Sequence, residues 1–160
     1  MNCMKKGFLI FAELLLFVCG TFASGFGLSG TVETGKDFSG GFTVDFEADG
    51  FPFIFEGEVL FCDEGTKSAC GGIEFLAGNF HVYKALNFFY TPEIVLGYDF
   101  VNESLVLSNA FYIGLNGFVF PKSEAFIQGG WKPQILFGKD DVDFNLINFP
   151  IRLGLRFWTN

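Results

Sequence analysis

Long hydrophobic runs are missing from most of this chain. After residue 25 no stretch holds 18 apolar residues without a charge, which excludes a transmembrane helix there. No helical period competes with the patterning described below. Histidine occurs once, at His81. A catalytic histidine needs a nucleophile and an orienting acid, and a metal centre needs more ligands, so an enzyme, a metal site and a cofactor are all unexpected. Basic residues are few, 10 Lys and Arg against 18 Asp and Glu, with no basic cluster to suit nucleic acid. Cysteine is also scarce, at Cys3, Cys19, Cys62 and Cys70.

What is abundant is phenylalanine, 25 in 160 residues, in a chain that is half apolar with mean hydropathy +0.39. That length makes one domain, and a small soluble domain cannot bury so many large rings. Apolar composition without a helical span is what transmembrane strands produce. The first residues resemble an export signal over 1–23. Lys5 and Lys6 precede an apolar core, Gly7 to Val18, and Thr21-Phe22-Ala23 offers small residues for cleavage. Lipidation at Cys19 competes, with bulky Val18 where a small residue belongs. Cleavage removes Lys5, Lys6 and Glu13, leaving 8 basic and 17 acidic residues and a net charge near −9 over 24–160.

Residues 41–61, GFTVDFEADGFPFIFEGEVLF, carry the main signal. Phe42, Val44 and Phe46 alternate with Thr43, Asp45 and Glu47, and the beat resumes after Asp49-Gly50 with Phe51, Phe53 and Phe55. Period two with a tight-turn dipeptide predicts a hairpin with one apolar and one acidic face. Similar patterns predict eight strands: 26–34, the two of the hairpin, 73–83 with a bulge near Gly78-Asn79, 86–98 with an awkward Pro92, 105–118, 124–136 and 146–158. Short turns at Asp49-Gly50, Lys84-Ala85 and Pro121–Ser123 alternate with polar connections at 35–40, 63–70, 99–104 and 138–145. The expected fold is all-β, a closed antiparallel eight-stranded up-and-down transmembrane barrel.

A soluble lipocalin-like barrel has the same alternation with its faces exchanged. Volume argues against it, because an eight-stranded interior just holds its own side chains and most of 25 phenylalanines would overfill it. The overall plan resembles the small OmpA/OmpX-type eight-stranded outer-membrane barrels. GNFHVYKALNFFYTPEIVLGY at 78–98 and FPIRLGLRFW at 149–158 are similar to a group of small barrels from bacteria with two membranes. The resemblance implies an outer-membrane location, membrane lipid as surroundings, and a monomer assembled by barrel assembly machinery. Arg152, Gly154 and Phe157 fit the terminal-strand signal such machinery reads, although Thr159-Asn160 follow Trp158 where that signal ends on an aromatic.

The expected lumen places Glu33, Asp45, Glu47, Glu56 and Glu58 with Lys132, Arg152 and Arg156, as a salt-bridge network that plugs the barrel. A narrow pore or a passage for hydrophobic solutes is the alternative use of the same interior. Cys62 and Cys70, at the margins of adjacent strands, are expected to form a disulfide clamping the loop between them. The polar loops are where an extracellular partner would bind. Tyr83, Tyr90, Tyr98, Trp131 and Trp158 suit interfacial girdles. GFGLSG at 25–30 matches a phosphate-binding fingerprint but precedes a strand, so it reads as small residues in a barrel stave.

Overall fold

A computed structural model describes residues 23–35, 38–48, 51–63 and 65–159. The expected leader, with Cys3 and Cys19, lies outside the described residues except for Ala23, which opens the first strand. The Asp49-Gly50 turn lies outside them too. The strands are β1 (Ala23–Gly35), β2 (Ser39–Ala48), β3 (Phe53–Cys62), β4 (Gly65–Phe75), β5 (Gly78–Tyr83), β6 (Leu86–Asp99), β7 (Ser104–Phe120), β8 (Ser123–Trp131), β9 (Gln134–Phe137), β10 (Val142–Asn145) and β11 (Asn148–Trp158).

Hydrogen bonding closes a ring, β1-β2-β3-β4-β6-β7-β8-β11 and back to β1, with every pairing antiparallel. β4 and β5 both lie along β6, and β8 and β9 both lie along β7. β10 pairs with β9 as β11 pairs with β8. The 11 segments therefore make eight staves, three of them broken. A closed ring leaves no open edge between its first and last staves.

The breaks and the loops differ from the sequence reading. The fourth stave begins at Gly65 rather than Ile73, and its interruption falls at Leu76-Ala77 rather than near Gly78-Asn79. Leu76 N donates to Pro52 O and Ala77 N to Tyr90 O, so the break stays hydrogen-bonded. Pro92 lies opposite it, between Glu93, which pairs with Glu74, and Tyr90, which pairs with Gly78. A residue without an N–H is tolerated where the neighbouring ladder is already interrupted. The seventh stave breaks at Lys132-Pro133, and the eighth starts at Val142. The expected loops 63–70 and 138–145 therefore shrink to 63–64 and 138–141.

Alternation decides which side chains enter the barrel. On β1 the outward set is Phe26, Leu28, Gly30 and Val32, and the buried inward set is Ser29, Thr31 and Glu33. Outward rings meet across strands, Phe26 against Phe46 and Phe53 against Phe75, each pair with centroids 5.5 Å apart. Inward glycines make room for large neighbours. A Cβ on Gly27 would overlap the Asp45 carboxylate, and one on Gly72 would overlap Oε1 of Glu93 and Cγ of Glu56. Thus two glycines of the GFGLSG stretch, Gly25 and Gly27, face inward, beneath Trp158 and Asp45, while Gly30 faces out.

Candidate functional site

Three cations on two neighbouring staves organise the lumen. Lys132 sits at the β8/β9 break, fully buried, where its backbone N–H donates to Asn148 O at 2.9 Å. Its Nζ reaches Glu33 on β1, two staves round the ring, at 2.7 Å and Glu58 on β3, across the ring, at 2.5 Å. Asn148 donates a further hydrogen bond to Glu33 at 3.1 Å, and Thr31 and Thr43 are joined hydroxyl to hydroxyl at 2.7 Å. One layer towards the turn end, Arg152 on β11 grips Glu56 with both terminal nitrogens, at 2.7 and 2.8 Å. It also reaches Glu58 at 3.0 Å and Glu93 at 3.6 Å, and its guanidinium lies 4.5 Å over the Tyr112 ring. Below it, Arg156 bonds Asp45 at 2.9 Å and Glu124 at 3.5 Å, over the Phe126 ring at 5.2 Å.

Arg152, Arg156 and the break at Lys132 lie on adjacent staves, so β11 and β8 present cations to carboxylates on β1, β2 and β3. Cations serving several carboxylates in a fixed fork are the geometry in which buried charge is tolerated. Lys132 is 0% exposed and Arg152 1%, so both cations are fully buried among their carboxylate partners. Chemically this arrangement is a buried charge network that crosses the lumen, joined by the Thr43 hydroxyl, which donates to Glu58 at 3.4 Å.

The structure brings Glu33, Asp45, Glu56 and Glu58 onto Lys132, Arg152 and Arg156. Glu47 is half-buried on the inward parity of β2, near the turn end beside Gly25. Sequence reasoning missed Glu74, Glu93 and Glu124, all buried and inward. With them seven buried carboxyl groups lie around the three cations, and Asp99 at the loop end is an eighth buried acid among the described residues; the surplus is concentrated where Glu74 and Glu93 pair across β4 and β6 beside Glu56. Of the terminal-strand residues, Arg152 is the lumen cation, Gly154 lies under the Phe126 ring and Phe157 faces out.

The expected disulfide is absent, and both Cys62 and Cys70 are free. Cys62 pairs with Gly65 at the turn, whereas Cys70 pairs with Glu58, four residues further along β3. That stagger is about 13 Å at strand rise, beyond the reach of a bridge. The mistake came from reading 63–70 as a loop that returns to its start. Trp158 also departs from the expected girdle, folding over Gly25 on the inner side, whereas Trp131 is on the outer face. His81 is exposed on β5 and bonds the Asn87 side chain at 3.3 Å. Among the described residues no group of three or more His, Cys, Asp or Glu side chains is placed to hold a metal ion.

The closed sheet, eight staves and outward apolar band define the small OmpA/OmpX-type transmembrane barrel fold. The chain is similar to the N-terminal β-barrel domain of Pseudomonas aeruginosa OprF, with a TM-score of 0.50, 9% identity, and 85% of this chain and 98% of that one covered. Other similar structures are Neisserial surface protein A, at 11% identity and TM-score 0.43 over 84% of this chain and 94% of that one, and a designed transmembrane β-barrel, at 9% and 0.46 over 84% and 95%. No family model matches the sequence, and no curated protein matches it.

Proposed function

We propose that this chain is an integral outer-membrane barrel with a structural role, its lumen sealed by the Lys132, Arg152 and Arg156 network. The observation that carries this reading is the inversion of the wall. One closed sheet keeps its charged side chains inside and turns Leu28, Phe42, Leu96, Ile113 and Leu153 outward, each 49–65% exposed. In water that band would be a very large apolar patch, and in hydrocarbon it is the required surface. The chain reaches the membrane after export and is inserted by barrel assembly machinery. It works as a monomer, because the ring needs no partner strand. The charged β9–β10 hairpin tip, Lys139-Asp140-Asp141, is the surface offered to an extracellular partner.

Two measurements test this. Refolded protein in mild detergent is expected to migrate differently boiled and unboiled, because the closed barrel resists unfolding until heated. Identical migration, with protein released by washes that spare the bilayer, refutes the membrane reading. In a planar bilayer the inserted protein is expected to be silent, and discrete conductance steps would refute the sealed lumen and favour the narrow pore.

A further inference from the structure

The outer wall is not uniformly bulky. Cross-strand pairing places Val44, Gly57, Gly71, Leu96 and Leu107 in one row across β2, β3, β4, β6 and β7, with two glycines side by side in its middle. Ala69, two residues along β4, continues this low floor, while Phe46, Val59, Tyr98, Leu105 and Phe137 rise around it. The result is an apolar groove of about 710 Å³ sunk into the wall. Both glycines are there without steric need on the inside. A Cβ on Gly57 would meet nothing within 4 Å, and one on Gly71 only a backbone oxygen at 3.8 Å. They differ in this from Gly27 and Gly72, whose missing Cβ atoms clear space for lumen carboxylates.

We propose that this groove seats one acyl chain of an anionic membrane lipid, with the headgroup towards Lys67. This rests on the membrane reading above. The groove is continuous with the apolar band, so whatever surrounds the barrel must fill it, since an unfilled hollow loses its dispersion contacts. A flexible chain can follow the floor along β4. A second copy docking through the same face is disfavoured, because two concave patches related by a two-fold axis leave a doubled void. Lys67 follows at the loop end of β4, at the bulge where Leu60 pairs with Ser68 and Phe61 with Thr66, and among the described residues it forms no ion pair. That cation is the partner this proposal gives to the phosphate of a lipid whose chain lies over Ala69 and Gly71.

The test is native mass spectrometry of the protein extracted from vesicles of mixed phosphatidylglycerol and phosphatidylcholine. Heat-dependent migration is scored first for every variant. The wild type is expected to retain one lipid, enriched in phosphatidylglycerol. Gly57→Leu/Gly71→Leu fills the floor from positions with free space and is expected to insert normally yet lose the bound lipid. Lys67→Gln is expected to keep a lipid but lose the preference for phosphatidylglycerol. A correctly inserted leucine variant that retains lipid as the wild type does overturns the groove proposal alone. Equal retention of both lipids by the wild type overturns the assignment of an anionic headgroup. A wild type that never inserts overturns the membrane reading and the groove with it.

Discussion

Replacing Arg152 by methionine keeps most of the side-chain stem and removes the charge. Arg152 makes three hydrogen bonds of 2.7–3.0 Å to Glu56 and Glu58 and a 3.6 Å ion pair to Glu93, with every partner at most 3% exposed. Removing one member of a buried pair costs about 3–5 kcal/mol, because the partner charge stays buried without compensation. Here Lys132 still holds Glu58, so the loss falls on Glu56 and Glu93. We expect Arg152→Met to lose about 3–5 kcal/mol, and Glu56→Gln/Arg152→Met to recover about 1–3 kcal/mol of that through pairwise coupling. Glu93→Gln provides the opposite sign. Its carboxylate accepts no hydrogen bond from the chain and faces Glu56 and Glu74, so its neutralisation is expected to be neutral or stabilising. Urea unfolding in lipid vesicles, followed by circular dichroism and by gel mobility, measures these three variants, the single Glu56→Gln that completes the cycle, and the wild type. An Arg152→Met stability within about 0.5 kcal/mol of wild type would refute the reasoning. So would a Glu93→Gln variant as damaged as Glu56→Gln.

Three further outcomes follow from the same geometry. Gly72→Ala is expected to cost about 1–3 kcal/mol by driving a methyl into Glu56 and Glu93, whereas Gly30→Ala, with nothing within 4 Å, should change stability by less than about 0.5 kcal/mol. The temperature of the gel-mobility shift compares them, and equal losses would refute the assignment of faces. Lipids brominated on their acyl chains are expected to quench Trp131 strongly and Trp158 weakly, measured in the Trp158→Phe and Trp131→Phe variants, and the reverse order would contradict the placement of Trp158 over Gly25. Alkylation of the unfolded, unreduced protein is expected to label both Cys62 and Cys70, and protection of either that only a reductant removes would reveal a bridge.

The hairpin and the faces of β1, β2, β3, β7 and β11 were legible because they alternate over most of their length, the irregularities of β1 and β7 falling only at Ala23/Gly25 and Phe118/Phe120, so parity carries through their middles. The broken staves were not. A break at Leu76-Ala77 or Lys132-Pro133 is defined by what the neighbouring strand does there, and a single sequence records no neighbour. Thr66, Ser68 and Cys70 read as a polar loop because β4 carries no large apolar residue until Ile73. Yet a stave whose outward positions are Ala69 and Gly71 has that composition by construction. The missed acids follow similar logic. Glu93 was within reach, since Ile94 and Leu96 face outward and fix its parity, but Pro92 drew suspicion onto the strand. Glu124 shares its inward face with Phe126, and an apolar residue inside a polar lumen hides the acid beside it.

What sets the register of this barrel is the lumen rather than the membrane. The outer face is nearly degenerate, because in hydrocarbon one phenylalanine position is much like the next. A slip of one residue between neighbouring staves turns every inward charge towards lipid, at about 2–4 kcal/mol for each arginine or lysine near the bilayer middle, so parity is secure. A slip of two residues restores parity and leaves the outer face almost indifferent. At the β11/β1 seam it does, however, carry Lys132 away from Glu33 and Glu58, Arg152 from Glu56, and Arg156 from Asp45, along the strand by about 7 Å. That is farther than these contacts can stretch, so every pair breaks together and several buried charges lose their partners at once. The ion pairs thus discriminate between registers that hydrophobicity cannot tell apart, which gives the charged layers of this lumen a structural reason that an apolar filling would lack.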